Sequence, residues 1–210
     1  MNGVMISLHK TLIARLIHQG AGHVYTPKDF LELGSYEAVR KAFQRLEKEG
    51  RLRRMLRGVY ELPKESVLLQ GPAAPDPDEI ARAIARSHGW TLIPSGNTAL
   101  NLLGLSTQIP ARWEYFSDGP AKTYAWDGGS LVFQRRAIRE TSVLSPKTAL
   151  IVQALKALGR ERVDAAVLKR LGGQLDAKQL QQAIAETRYA TTWVHETLRA
   201  LAKEKEVNHA

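Results

Sequence analysis

The sequence predicts an α+β protein in which three helical segments and a basic hairpin precede a mixed domain that ends in helices. Three observations predict this class. Apolar residues recur at helical spacing over the first 50 residues. Short runs typical of strands, separated by glycine-containing turns, follow between residues 90 and 137. Helical patterns return from residue 145 onwards. The 210 residues suffice for one large domain or two small ones.

The first three helices are predicted from apolar stripes and from the residues at their ends. The first covers Leu8–Gln19 and stops at glycines. The second covers Thr26–Leu33 and begins with a capping hydroxyl followed by proline at the first helical position. The third covers Ser35–Glu49, with Ser35 as its cap. Between the first two, Val24-Tyr25 is expected to form a short strand.

A basic hairpin is predicted over Arg51–Leu62, with Arg57-Gly58 at its tip and Val24-Tyr25 paired to it. Residues 51–60 contain four arginines and no acidic residue. The order helix, helix, helix, hairpin is typical of a winged helix-turn-helix, a DNA-binding fold. Residues 1–64 hold twelve Lys/Arg and six Asp/Glu, a net +6 of the chain's +9. A basic charge concentrated on one module favours a nucleic-acid partner.

The third helix is predicted to lie in the major groove of double-stranded DNA, because one face is apolar and the opposite face is basic. Arg40 matches guanine and Gln44 matches adenine, and Tyr36 is expected to join them in reading bases. The other cations are expected to hold phosphates, which gives affinity rather than sequence reading. Taken alone, the helix fits a solvated charged face equally well. The predicted DNA-binding residues are Lys28, Ser35, Tyr36, Arg40, Lys41, Gln44, Arg45, Arg53, Arg54 and Arg57.

Prolines at positions 63, 72, 75 and 77 predict a linker between two domains. The boundaries expected are a DNA-binding domain over residues 1–64, a linker over 65–78 and an α+β domain over 79–210. The apolar stretch Val67-Leu68-Leu69 inside the linker is expected to pack on one of the domains.

The second domain is predicted to open with a helix from Asp78 to Gly89 and to contain a small antiparallel sheet. Its strands are expected over Trp90–Ile93, Trp113–Phe116, Ala121–Trp126 and Leu131–Ala137. A helical C-terminal part follows a second serine-proline start. The other helices are expected over Thr98–Leu103, Lys147–Leu158, Val163–Leu171, Ala177–Glu186 and Thr191–Lys205.

The sequence offers no strong catalytic signature: P-loop, GxGxxG, GxSxG and HExxH motifs are all missing. We therefore predict no catalytic residue, no cofactor and no metal site. The best enzymatic alternative is a metal-dependent nuclease using Glu114, Asp118, Lys122 and Asp127, although both Asp-Gly pairs fit ordinary turns. The turn Pro94–Asn97 fits an anion site or a simple helix cap. A third alternative is an interaction module whose winged helix docks on protein.

Composition sets further limits. The chain has no cysteine, which excludes disulfides and thiolate metal sites. It has no apolar run long enough to span a bilayer, and charged residues interrupt the N-terminal pattern expected of a signal peptide. We expect a cytoplasmic protein without membrane contact.

The chain resembles the abortive-infection-type (AbiEi-like) antitoxins of type IV toxin–antitoxin systems, which are bacterial transcriptional regulators. The resemblance covers roughly residues 8 to 160 and rests on Thr26–Phe30, Val39–Gly50, Arg54 with Arg57–Tyr60, Pro94–Leu100 and Gly104–Gln108. It implies a repressor that binds inverted repeats in its own operator as two copies. It also implies a second domain that antagonises a nucleotidyltransferase-like toxin, directly or indirectly.

Overall fold

The structure is a computed structural model that describes residues 2–108, 110, 112–136 and 144–207. The chain is α+β, as predicted, and divides into two compact units. The first unit contains residues up to 90 together with 123–131, and the second contains 91–122 and the described residues from 132 onwards. Each unit has a hydrophobic core cluster of its own.

The first unit begins with three helical segments and a three-stranded sheet, in the predicted order. Its elements are α1 (Asn2–Gln19), β1 (Val24–Tyr25), the 3-10 helix Pro27–Leu33, α2 (Tyr36–Lys48), β2 (Arg53–Leu56) and β3 (Val59–Glu61). The sheet order is β1-β3-β2, so β3 is central and both of its neighbours are antiparallel to it. The predicted pairing of Val24-Tyr25 with the hairpin is confirmed.

The second predicted helix is a 3-10 helix with an irregular centre. Phe30 has φ −133° and ψ 27°, which lies outside helical geometry. Phe30 is 1% exposed, so its ring is held in the core at this irregular position. The predicted start is confirmed, since the Thr26 amide donates to the Asp29 carboxylate at 2.8 Å.

The proline-containing segment that follows forms a short hairpin and then a helix of the first unit. β4 (Glu65–Ser66) pairs with β5 (Gly71–Pro72), and α3 runs over Pro77–His88. Val67, Leu68 and Leu69 lie between the two strands and are 95%, 95% and 67% exposed. The expectation that this apolar stretch packs on a domain is therefore wrong, because most of the surface of all three side chains is exposed.

The second unit combines a sheet with a helical bundle. Its elements, with the hairpin strands that straddle the two units, are β6 (Leu92–Pro94), α4 (Gly96–Leu102), β7 (Trp113–Ser117), β8 (Lys122–Trp126), β9 (Gly129–Arg135), α5 (Pro146–Leu158), a 3-10 turn (Arg160–Arg162), α6 (Ala165–Gly173), α7 (Ala177–Glu186) and α8 (Thr192–Val207). The sheet order is β6-β7-β9-β8, and β6 pairs antiparallel with β7. The predicted end of the last strand, Ala137, lies outside the described residues.

The second core lies mainly among α4 to α8, with Ile151 and Leu155 of α5 fully buried. α4 approaches α5 so closely that a Cβ atom added to Gly96 would lie 2.5 Å from the Cβ of Ala157. Gly96 is therefore a packing requirement of this unit. Within the described part of the chain, no helix combines the length and apolar character needed to cross a bilayer.

Candidate nucleic-acid interface

α2 is held rigidly on the first core by its apolar face. Val39, Phe43 and Leu46 are at most 1% exposed. The Phe43 ring lies between Phe30 and Tyr60, with ring centroids 5.7 Å and 5.2 Å away. These aromatic contacts tie α2 to both the 3-10 helix and the β2–β3 hairpin. The outer face of α2 therefore has a fixed position relative to the hairpin.

The outer face of α2 carries the predicted base-reading residues in one row. Tyr36, Arg40 and Gln44 are four residues apart, a spacing that places side chains along one helix face. Ser35 caps the helix, since its hydroxyl accepts from the Ala38 amide at 3.3 Å. Tyr36 is 45% exposed even though it is a large aromatic residue. The cap and the first two members of the row lie in the N-terminal half of α2, and Gln44 lies one turn further along the helix.

Arg40 is held by its neighbour Glu37 in the absence of a ligand. Its Nε and one terminal nitrogen donate to the same Glu37 oxygen at 3.3 Å and 2.8 Å. This hydrogen bond and the charge of Arg40 lower the pKa of Glu37, and the same bond raises the pKa of Arg40. Arg40 must therefore release Glu37 before it binds another acceptor.

Four exposed cations flank this row, and we call them the basic surface: Lys41 and Arg45 of α2, with Arg54 and Arg57 of the hairpin. Among the residues that the structure describes, none of the four forms an ion pair with a carboxylate. Arg57 lies at the hairpin tip beside Gly58, whose φ of +77° favours glycine, and the predicted tip is confirmed. Positive charge on this surface is thus available to a partner.

The charges of Arg40 on the helix and Arg54 on the hairpin both act on the pKa of Tyr60. Burial raises the pKa of Tyr60, and the charge of Glu47 adds to this, whereas the charges of Arg54 and Arg40 act in the opposite direction. Arg54 is directly across the sheet from Tyr60. One residue of the row and one residue of the basic surface therefore influence the same phenol.

Arg53 faces the interior, unlike its neighbour Arg54. Its guanidinium donates to Glu61, with nitrogen–oxygen distances of 2.7 Å and 2.5 Å, and to the Ala73 carbonyl at 2.8 Å. The Glu61 side chain is only 2% exposed. Burial raises the pKa of this carboxyl, and the hydrogen bond from Arg53 partly offsets the effect. Because side chains alternate in direction along a strand, the sequence indicates that one of the consecutive residues Arg53 and Arg54 faces the core.

Lys28 is also engaged inside the first unit. Its ammonium donates to the Ser87 carbonyl at 2.6 Å, near the C-terminal end of α3. Cations at that end of a helix are stabilised by the unpaired carbonyls. Lys28 and Arg53 therefore connect elements of the fold, whereas the basic surface does not.

A charged cluster that sequence reasoning missed attaches α3 to the rest of the first unit. Arg86 donates to both carboxylate oxygens of Asp29, at 2.7 Å and 2.9 Å. Burial tends to raise the pKa of Asp29, but hydrogen bonds from Arg86 and Thr26 outweigh it and the pKa is lowered. Burial raises the pKa of nearby Tyr25 to about 12. Asp29 and Arg86 are 57 positions apart in the sequence, so there is no local sequence signal for the pair.

The residues of the nuclease alternative have separate roles in the structure. Glu114 accepts from the Gln134 amide at 3.1 Å, and Asp118 accepts from the Thr91 backbone amide at 2.9 Å. Asp127 begins the turn between β8 and β9. In the described ranges, no three His, Cys, Asp or Glu side chains are grouped as a metal site would require.

Comparison with known proteins places the chain among proteins of unknown function. A family model described as "Family of unknown function (DUF6088)" matches residues 12–183. No curated protein matches the chain. A similar solved structure is the RV2827C protein from Mycobacterium tuberculosis, with 16% sequence identity and a TM-score of 0.38. That alignment covers 86% of this chain and 71% of the other.

Proposed function

The chain belongs to the DUF6088 family, whose function is unknown, and we propose that it is a DNA-binding transcriptional repressor whose first unit acts as a winged helix-turn-helix. The observation that carries the proposal is the basic surface beside the row on α2. Its four exposed cations have no acidic partner among the described residues. A phosphate backbone is the partner that such a surface fits, because each cation that contacts a phosphate releases a counterion.

In the proposed complex α2 enters the major groove. Arg40, Gln44 and Tyr36 face base edges, where Arg favours guanine and Gln favours adenine. Lys41 and Arg45 hold phosphates on the groove's rim. Arg54 and Arg57 hold the backbone beside it, as the wing of such a domain does.

Two members of the sequence-predicted set have other roles in this proposal. Arg53 and Lys28 donate to groups of the fold itself. Their contribution to binding is indirect, because they stabilise the hairpin and the 3-10 helix. Ser35 contributes through its cap on α2, which fixes the first turn of the reading helix.

We further propose that the repressor is the antitoxin of a type IV toxin–antitoxin operon and acts against a nucleotidyltransferase-like toxin. The motif resemblance supports this step. In that case two copies occupy inverted half-sites about one helical turn, ~34–36 Å, apart.

Variants of one row residue and one surface residue test the proposal. Arg40→Ala is expected to reduce the preference for the operator over other sequences, because a base contact carries roughly 1–3 kcal/mol of discrimination. Arg54→Ala is expected to weaken binding to all duplexes alike and to lower the salt slope by about one. Arg199→Ala, an exposed arginine on α8, is the matched control and should change neither.

The same measurements separate the alternatives. Equal loss on every sequence for Arg40→Ala would remove its reading role. Unchanged affinity and salt slope for Arg54→Ala would contradict the basic surface as the DNA contact. DNA cleavage that depends on a divalent metal would favour the nuclease alternative.

A further inference from the structure

The second unit contains a polar cleft that the proposed function does not use. Its volume is about 470 Å³, within the range of small-molecule sites. α4 and the turn before it supply Ser95, Asn97 and Thr98, and β7 with the preceding residue supplies Arg112 and Glu114. We call this site the polar cleft.

One wall of the polar cleft is fixed by hydrogen bonds. The Thr98 hydroxyl accepts from the Glu114 backbone amide at 2.9 Å, and the Ser95 amide donates to the Glu114 carbonyl at 2.9 Å. One Glu114 carboxylate oxygen accepts from Gln134 at 3.1 Å. The carboxylate is therefore oriented, and its other oxygen remains able to accept from a ligand.

Ser95 and Arg112 supply further polar groups to the cleft. Ser95 is only 7% exposed, yet its hydroxyl makes no capping hydrogen bond. Arg112 is exposed and pairs with no carboxylate in the described part of the chain. These groups are arranged to receive a ligand that accepts and donates hydrogen bonds.

We propose that the polar cleft binds a mononucleotide, with the phosphate on Arg112 and the base edge on Glu114. Arginine suits phosphate because its planar fork donates two parallel hydrogen bonds. A carboxylate accepts from the amino or imino groups of a base. Asn97 offers both a donor and an acceptor. Inorganic phosphate and a free amino acid are each much smaller than the cleft volume of about 470 Å³, whereas a mononucleotide carries both a phosphate and a base edge.

Isothermal titration of the full chain with each nucleoside monophosphate tests this proposal. We expect saturable binding of one molecule per chain, with a preference among the four bases. Arg112→Ala should weaken binding about tenfold, since it removes a charge-assisted contact. Glu114→Gln keeps the shape of the side chain and should reduce the preference among bases. Arg188→Ala, an exposed arginine of the same unit that does not line the cleft, should bind as the unchanged protein does.

Three further titrations identify the ligand class and the site. Inorganic phosphate and free amino acids should not bind at the concentrations that saturate the nucleotide. The double variant Lys41→Ala, Arg45→Ala, which weakens the DNA contact, should keep nucleotide binding, so the two proposals fail separately. The proposal is overturned by no saturable binding of any nucleotide, by equal binding of phosphate, or by equal losses in Arg112→Ala and Arg188→Ala. If Arg112→Ala fails to fold, Ser95→Ala replaces it with the same expected direction.

Discussion

Replacing Arg53 by alanine tests whether this arginine stabilises the first unit from inside. The substitution removes both contacts to Glu61 and the hydrogen bond to the Ala73 carbonyl. It leaves a carboxylate that is 2% exposed without its cation. Breaking a buried pair in this way costs roughly 3–5 kcal/mol. Because Arg53 is 30% exposed and water can partly replace it, we expect a loss of about 3 kcal/mol.

The loss should depend on pH in a definite direction. Burial already raises the pKa of Glu61 above its ordinary 4.5, and removal of Arg53 raises it further. A group whose pKa is raised by folding stabilises the folded state at pH values below its ordinary pKa. This stabilisation is lost as the pH rises through the pKa that the group has in the folded state. The deficit of Arg53→Ala is therefore largest near neutral pH and shrinks towards pH 4, where Glu61 is protonated in both proteins.

Urea unfolding followed by circular dichroism, near pH 7 and near pH 4, measures this effect. Arg54→Ala is the matched control, because Arg54 is exposed and should change stability by no more than about 0.5 kcal/mol. Equal stability of the two variants near pH 7 would refute the reasoning, as would a deficit for Arg53→Ala that does not change with pH.

Three further changes have expected outcomes. Gly96→Ala should destabilise the second unit by roughly 1–3 kcal/mol in urea unfolding, because the new Cβ would lie 2.5 Å from the Cβ of Ala157. Adding Ala157→Gly should recover part of this loss, and a double variant with no recovery would contradict the packing. Asp29→Asn should reduce the acid sensitivity of the first unit. Because the pKa of Asp29 is lowered in the folded state, its pair with Arg86 stabilises the fold above the ordinary pKa of 3.8, and this stabilisation is lost as the pH falls through the pKa of the folded state. A urea midpoint with the same pH profile in variant and wild type would contradict this. Glu37→Gln should tighten binding to every DNA duplex, because it removes a negative charge from the outer face of α2, where it pairs with Arg40. Weaker binding of this variant in a salt titration would contradict this and show that Glu37 contributes to DNA binding.

Features set by neighbouring residues were predictable from the sequence. Ser35 and the Ser145-Pro146 start mark helix beginnings because capping is a contact over three residues, and both caps are present. The hairpin tip at Arg57-Gly58 followed from the same kind of local chemistry. The apolar face of α2 followed from its spacing, and its members are buried.

Features set by distant contacts were not predictable. Strand alternation indicates that one of Arg53 and Arg54 faces inward, but the contact of Arg53 with the Ala73 carbonyl, twenty residues away, has no local signal. The Asp29–Arg86 pair likewise joins two elements far apart in the chain. Val67-Leu68-Leu69 is exposed, which apolar composition does not encode. The polar cleft, likewise, depends on the pairing of β6 with β7, which brings the turn before α4 next to Glu114.

Binding of the wild-type protein to the DNA upstream of its own gene, measured against a scrambled duplex at two salt concentrations, tests the central proposal most directly. We predict tight binding that prefers the upstream DNA and survives about 150 mM salt, because base contacts on α2 add to the phosphate contacts of the basic surface. Weak binding, equal on both duplexes and lost at the higher salt, would contradict the repressor and reduce the basic surface to a generic phosphate contact.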